Sequence, residues 1–213
     1  MNSFLLIYLV TVYLIASIPF SLVLAKIISG IDVRQFGDGN PGAANAWHYG
    51  GKIAGTLGCI LDISKGSLPV FLAKKYWPNS DSVLFLTGVI AVLGHAWPIY
   101  LNFNGGKSLA ITAGVFLSLF DNLLVIYWMV LLAVFSFLTI PFAEGVIITL
   151  IVATIHTFIL YKSWYLRFTV LIIALIVACK HRVTLSNLCF NNASLISKIK
   201  KQYNSWSKNR TKV

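Results

Sequence analysis

The sequence predicts an all-α integral membrane protein with seven transmembrane helices, one short or partly re-entrant, and glycine-rich loops facing the cytosol. Three observations predict it. Mean hydropathy is +0.81 and only 11% of residues are charged, too little polar surface for a soluble fold of 213 residues. The apolar residues fall in blocks near the roughly 20 residues that cross a bilayer as helix. All basic residues but Lys65 lie between those blocks, after them or close to their ends.

Run length and flanking polar residues place the spans at 4–25, 53–73, 82–101, 109–120, 122–140, 144–161 and 165–180. The first has no basic segment ahead of it and no small-residue cleavage site, so it reads as a membrane helix and not a leader. The second carries Asp62 and Lys65, which limits its contact with lipid. The fourth is the short one. Residues 180–213 hold eight basic side chains and no acid. By the bias of lysine and arginine toward the cytoplasm, that end is cytosolic and the amino terminus lies outside. The segments 26–52 and 102–108 then face the cytosol, with twelve basic residues inside against four outside. In a soluble protein a net charge of +11 suggests nucleic acid; this distribution points to a membrane surface instead. Residues 1–183 form the seven-helix unit and 184–213 a basic tail. In that tail Leu195, Ile196, Ile199, Tyr203 and Trp206 recur at helical steps, a pattern that suits an amphipathic surface helix or a solvated tail.

Two loops interrupt the apolar text: GDGNPGAANAWHYGGK at 37–52 and FNGGKS at 103–108. Glycines let successive N–H groups turn inward as an anion-binding nest, and a lysine or arginine beside it supplies charge. Arg34, Asn40, Asn45 and Lys52 surround the first loop, and Lys107 follows Gly105 and Gly106 in the second. Glycine-rich turns also serve as plain connectors, and GGK is not a nucleotide-binding P-loop. Asp62 and Lys65, three apart on one helix face, can pair, either as a structural ion pair or as part of a site. His95 and His181 end spans near the same face, whereas His48 and His156 read as ordinary structural histidines. Cys59, Cys179 and Cys189 are scattered and form no CxxC, the pattern of lone thiols.

The residues SIPFSLVLAK (17–26), IDVRQFGDGNPGAANAW (31–47), LDISKG (61–66), GHAWPIYLNFNGGKS (94–108) and KHR (180–182) resemble the PlsY family. These are small bacterial membrane acyltransferases that acylate glycerol 3-phosphate from acyl phosphate. The resemblance covers nearly all of the chain to about residue 190. It implies a seven-helix fold in the bacterial inner membrane, with acyl transfer to the 1-hydroxyl of glycerol 3-phosphate to give lysophosphatidic acid. The implied partners are acyl phosphate, glycerol 3-phosphate and membrane lipids, with no nucleic acid, metal or cofactor. By matching position it implies chemistry at His181, Lys107 and Asn45. Phosphate binding falls to Arg34, Gly37, Gly39, Asn40, Gly42, Gly105, Gly106 and Lys107, with the amides of Gly105 and Gly106 as donors. Ser17, Asp62, Lys65, His95 and Arg182 support them.

Departures from the family pattern fall on the same loops. Asp38 and Ala44 replace hydroxyl residues, Asn104 a cation, Ser108 a glycine and Thr184 an asparagine, while Pro141 and Glu144 stand where serines are expected. An aspartate in an anion nest repels a dianion by about 1–4 kcal/mol in a partly wet site. Three readings follow: a divergent acyltransferase, a catalytically silent paralogue that binds lipid or regulates, and a small transporter with broken helices.

Overall fold

A computed structural model describes residues 3–138 and 142–182, with side chains 136–142 excluded. Among these residues the chain is all helical: α1 (Ser3–Ala16), α2 (Phe20–Ser29), α3 (Ala43–Tyr49), α4 (Lys52–Tyr76), α5 (Asp81–Ala96), α6 (Leu109–Leu119), α7 (Asn122–Leu138), α8 (Phe142–Leu160) and α9 (Trp164–Arg182). Five segments are long and apolar enough to cross a membrane: Ser3–Ser29, Lys52–Tyr76, Asp81–Leu101, Ala143–Leu160 and Trp164–Arg182. The stretches Leu109–Leu119 and Asn122–Phe135 are shorter apolar helices. The proposed amphipathic tail, Pro141, Thr184 and Cys189 lie outside the described residues.

Two expectations need correction. The first span is not one helix over 4–25: it breaks after Ala16 and resumes at Phe20, ending at Ser29. Pro19 has no N–H to continue the ladder; Ile18 N–H turns back only to Ile15 at 3.1 Å, and α2 restarts with Val23 N–H on Pro19 at 3.0 Å. The first loop, expected as a glycine-rich nest without regular structure, contains the short helix α3, because AANAWHY between Gly42 and Gly50 is a run of helix-compatible residues bracketed by glycines.

The centre of the fold is α4, which packs against α6, α2, α3 and α5. Its crossing with α6 is close because a methyl at Gly66 would overlap the Ile111 carbonyl and one at Gly114 the Ile63 carbonyl. In lipid, where apolar side chains gain little by meeting each other, such small residues let backbones approach and gain dispersion contacts. Val70, Val92, Ile111, Val115, Val146, Ile173 and Val177 join one buried cluster. A second, of Leu22, Ala25, Val33, Ala46 and Ala54, lies beneath the first loop and fixes α3 on α2 and α4. The outward faces are also apolar, with Ile7, Leu123, Ile159 and Leu175 exposed, as suits a hydrocarbon surround.

Candidate active site

The two glycine loops meet. Asp38, Gly39, Asn40 and Pro41 from the first line one cleft with Asn104, Gly105 and Lys107 from the second, and Lys180 of α9 completes it. The cavity holds about 260 Å³, room for a small phosphorylated molecule and its water.

Left-handed glycines shape the first loop: Gly37 at φ 60° and Gly39 at φ 72° turn the chain so that Gly39 N–H closes on Phe36 at 3.0 Å. The Asp38 carboxylate is the hub. Its Oδ2 lies 2.8 Å from Lys107 Nζ, while Oδ1 accepts from Asn45 Nδ2 at 3.0 Å and from the Asn40 N–H at 3.2 Å. Burial opposes ionisation of this carboxyl, but the Lys107 hydrogen bond and charge prevail and hold it below its ordinary range. Asn45, nearly buried, also donates to Phe36 at 3.2 Å, so it positions Asp38 and does not line the cleft. Gly42 N–H caps on Asn40 Oδ1 at 3.1 Å.

The second loop is fastened to the end of α5. Gly105 N–H donates to Ala96 and Gly106 N–H to His95, both at 3.2 Å. The two amides expected to meet phosphate are thus held by carbonyls in this structure. Gly105 has to be glycine for a different reason, since a methyl there would overlap the His95 carbonyl and Pro98. Ser108 sits at φ 65°, a conformation natural to glycine and costly for serine, with its hydroxyl buried and without a partner among the described residues.

Arg34 is also placed differently from the expectation. It is exposed and clasps its own loop, Nε to Asp32 Oδ1 at 2.9 Å and Nη2 to Oδ2 at 2.6 Å, and it does not line the cleft. That clasp holds the Asp32 carboxyl down at about 2. Arg182, the last described residue, is exposed at the end of α9.

Behind the cleft, Pro41 and Gly105 also wall a smaller space lined by Ser17, Asp62, Lys65 and His95. Asp62 and Lys65 pair at 2.8 Å in full burial. The helix break presents its Ile18 carbonyl to Lys65 Nζ at 2.7 Å, and Ser21 Oγ donates to Asp62 Oδ2 at 2.9 Å. His95 Nδ1 approaches Asp62 at 3.7 Å, and its ring lies flush against Gly106, where a methyl would overlap Nε2. The buried pair thus supports the turn that carries Lys107 through one imidazole.

His181 is buried on α9. Its Nδ1 meets the Val177 carbonyl at 2.8 Å; a carbonyl only accepts, so Nδ1 carries the proton and Nε2 keeps its lone pair. Nε2 has no partner among the described residues, and the charges of Lys107 and Asp38 both act on the ring. Sequence reasoning missed Lys180 as a site residue. It was counted with the tail charges, although its place immediately before His181 was the available signal.

The chain is similar to known proteins along most of its length. The family model described as glycerol-3-phosphate acyltransferase matches residues 6–191. A glycerol-3-phosphate acyltransferase of Wolbachia pipientis subsp. Culex pipiens is 35% identical over 185 residues, 85% of this chain and 93% of that protein. The Bacillus subtilis protein of the same name is 35% identical over 180 residues, covering 84% and 91%. Crystal structures of PlsY (YgiH) superpose with TM-scores of 0.81 for the glycerol 3-phosphate form and 0.80 for the lysophosphatidic acid form. Both are 29% identical, over 88% of this chain and 92% of that one. With its glycine loops closed around one cleft and its sequence matched nearly end to end, the chain belongs to the glycerol-3-phosphate acyltransferase family.

Proposed function

We propose that the protein transfers an acyl group from acyl phosphate to the 1-hydroxyl of glycerol 3-phosphate, releasing lysophosphatidic acid and inorganic phosphate. The observation that carries this reading is the shared cleft, where two separate loops and α9 bring two lysines to one cavity, with the buried imidazole of His181 following Lys180 on α9. The hydroxyl oxygen forms a bond to the acyl carbonyl carbon, the carbon–oxygen bond to phosphate breaks, and the hydroxyl proton passes to the departing phosphate, directly or through water. Acyl phosphate carries its own leaving group, so alignment and charge stabilisation supply most of what the protein must add. His181 Nε2, as an acceptor, orients the attacking hydroxyl. Lys107 steadies phosphate charge once Asp38 lets it go, and Asn45 sets where Asp38 sits.

In this reading the chain crosses a bacterial inner membrane seven times, with the amino terminus outside and the cleft and basic tail on the cytosolic side. The unit 1–183 carries the chemistry, and 184–213 holds to anionic lipid. The test is release of phosphate and formation of lysophosphatidic acid by the purified protein in lipid, supplied with both substrates. No release above blank, while the Bacillus subtilis relative turns over, ends the proposal. A second reading, a silent paralogue, draws on the Asp38–Lys107 ion pair at 2.8 Å, which occupies the cleft with an internal anion. Growth rescue of a strain lacking its own such acyltransferase excludes it.

A further inference from the structure

We infer that Lys180 supplies a standing positive charge by which the cleft takes the phosphate of a substrate. This rests on the acyl-transfer reading for the identity of the ligand, a phosphate monoester or acyl phosphate dianion, but not for the existence of the charge. Several of the other donors around the cleft are already engaged. Lys107, Asn45 Nδ2 and the Asn40 N–H all converge on the Asp38 carboxylate. The N–H groups of Gly39, Gly105 and Gly106 are spent on carbonyls, and that of Gly42 on the Asn40 side chain.

Lys180 is held differently. Its Nζ donates to the Ala96 carbonyl at 2.8 Å and sits 5.5 Å from the centroid of the Trp97 ring, while it meets no carboxylate among the described residues. An ammonium has three protons, so one bond to Ala96 leaves two for a ligand. The same Ala96 carbonyl accepts the Gly105 N–H. The cation is therefore anchored to the atom that fixes the second loop, with its charge beside the cleft and His181 next to it on α9. The tryptophan face and the carbonyl hold the ammonium in place without neutralising it. An entering phosphate meets Lys180 first, and Lys107 adds to it only by exchanging Asp38 for the ligand.

The experiment uses the full chain in lipid with Lys180→Met, Lys180→Gln and Lys180→Arg, each also in an Asp38→Asn background, with thermal unfolding recorded for all. Binding of inorganic phosphate and of glycerol 3-phosphate is measured by calorimetry, and KM for each substrate by varying one at a time. Loss of a charged hydrogen bond should weaken phosphate binding about tenfold or more in Lys180→Met, with the change in KM and not in kcat, and Lys180→Arg should recover most of it. Lys180→Gln keeps a polar donor without the charge and should fail like Met, while an unfolding midpoint unchanged from the parent separates charge from folding. With Asp38 neutral and Lys107 released, the penalty should shrink to about threefold or less. A raised KM for glycerol 3-phosphate alone assigns Lys180 to the acceptor, and for acyl phosphate alone to the donor. An unchanged affinity in Lys180→Met and Lys180→Gln, no rescue by arginine, an equal penalty in both backgrounds, or no phosphate binding by the unaltered protein would overturn the inference. An active protein with unaffected Lys180 variants sinks this inference alone, whereas absent turnover with phosphate binding lost in Lys180→Met sinks only the acyl-transfer reading.

Discussion

Two aspartate–lysine pairs of the same length stand on either side of Gly105. In both, the closest oxygen lies 2.8 Å from the ammonium. Lys65 and Asp62 are only 2% and 3% exposed, whereas Lys107 and Asp38 are 28% and 45% exposed. The buried pair has further fixed partners in the Ile18 carbonyl and Ser21 hydroxyl. Its charges left water at a high cost, and each depends on the other. The cleft pair faces solvent, where attraction is screened and a competing anion can enter. One geometry therefore gives a strut in one place and an exchangeable contact in the other.

The sharpest way to break that contrast is to neutralise each aspartate. Asp62→Asn leaves Lys65 charged in the membrane core and should cost about 3–5 kcal/mol of stability, read as a fall in the unfolding midpoint in detergent. The double variant Asp62→Leu with Lys65→Met should recover much of that loss, and failure to do so would make the pair more than a strut. Asp38→Asn should change stability by under about 1 kcal/mol, yet tighten binding of glycerol 3-phosphate about threefold to tenfold by freeing Lys107. A KM that stays where it was would show that the cleft pair does not exchange. Ser108→Gly relieves a left-handed serine and should stabilise by about 1 kcal/mol, visible as a small rise in midpoint without a change in KM.

The smallest effect is on pH dependence. Asp38 titrates below its ordinary value of 3.8, and Asp32 at about 2. A depressed carboxyl stabilises the fold above its unfolded pKa, and that contribution fades as pH falls through the folded one. From about pH 6 to 8 both stay ionised, so the difference between Asp38→Asn and the parent should be constant there and close below about pH 4. Midpoints measured across this range check it; a difference that varies near neutrality would mean Asp38 titrates in the working range.

Much of this contrast could be read in advance, and some could not. The i, i+3 spacing within an apolar block announced the Asp62–Lys65 pair, because helix geometry alone brings those positions together. Hydropathy located the spans for the same local reason. The break at Pro19 was obscured because apolar residues continue on both sides, and α3 because glycine dominates its flanks. The fate of the Gly105 and Gly106 amides depends on carbonyls at the end of α5, and no local pattern reports where those point. Lys180 was hidden by its neighbours: eight basic residues in the final stretch look alike until one of them is found inside a cleft. Asp38 was visible as an acid in an anion nest, but its partner Lys107 lies on the other loop.

The proline break also makes the first span depend on a later helix. A helix of 14 residues reaches about 21 Å, short of a hydrocarbon layer of about 30 Å, so α1 cannot settle in the bilayer without α2. Joining them leaves the Ser21 hydroxyl and one lone pair of the Ile18 carbonyl, which already accepts the Phe20 N–H at 3.1 Å, to be met by Asp62 and Lys65 some forty residues further along the chain. The bent span is thereby completed only with α4 alongside it, so the amino-terminal segment and the helix at the centre of the fold stand or fall together.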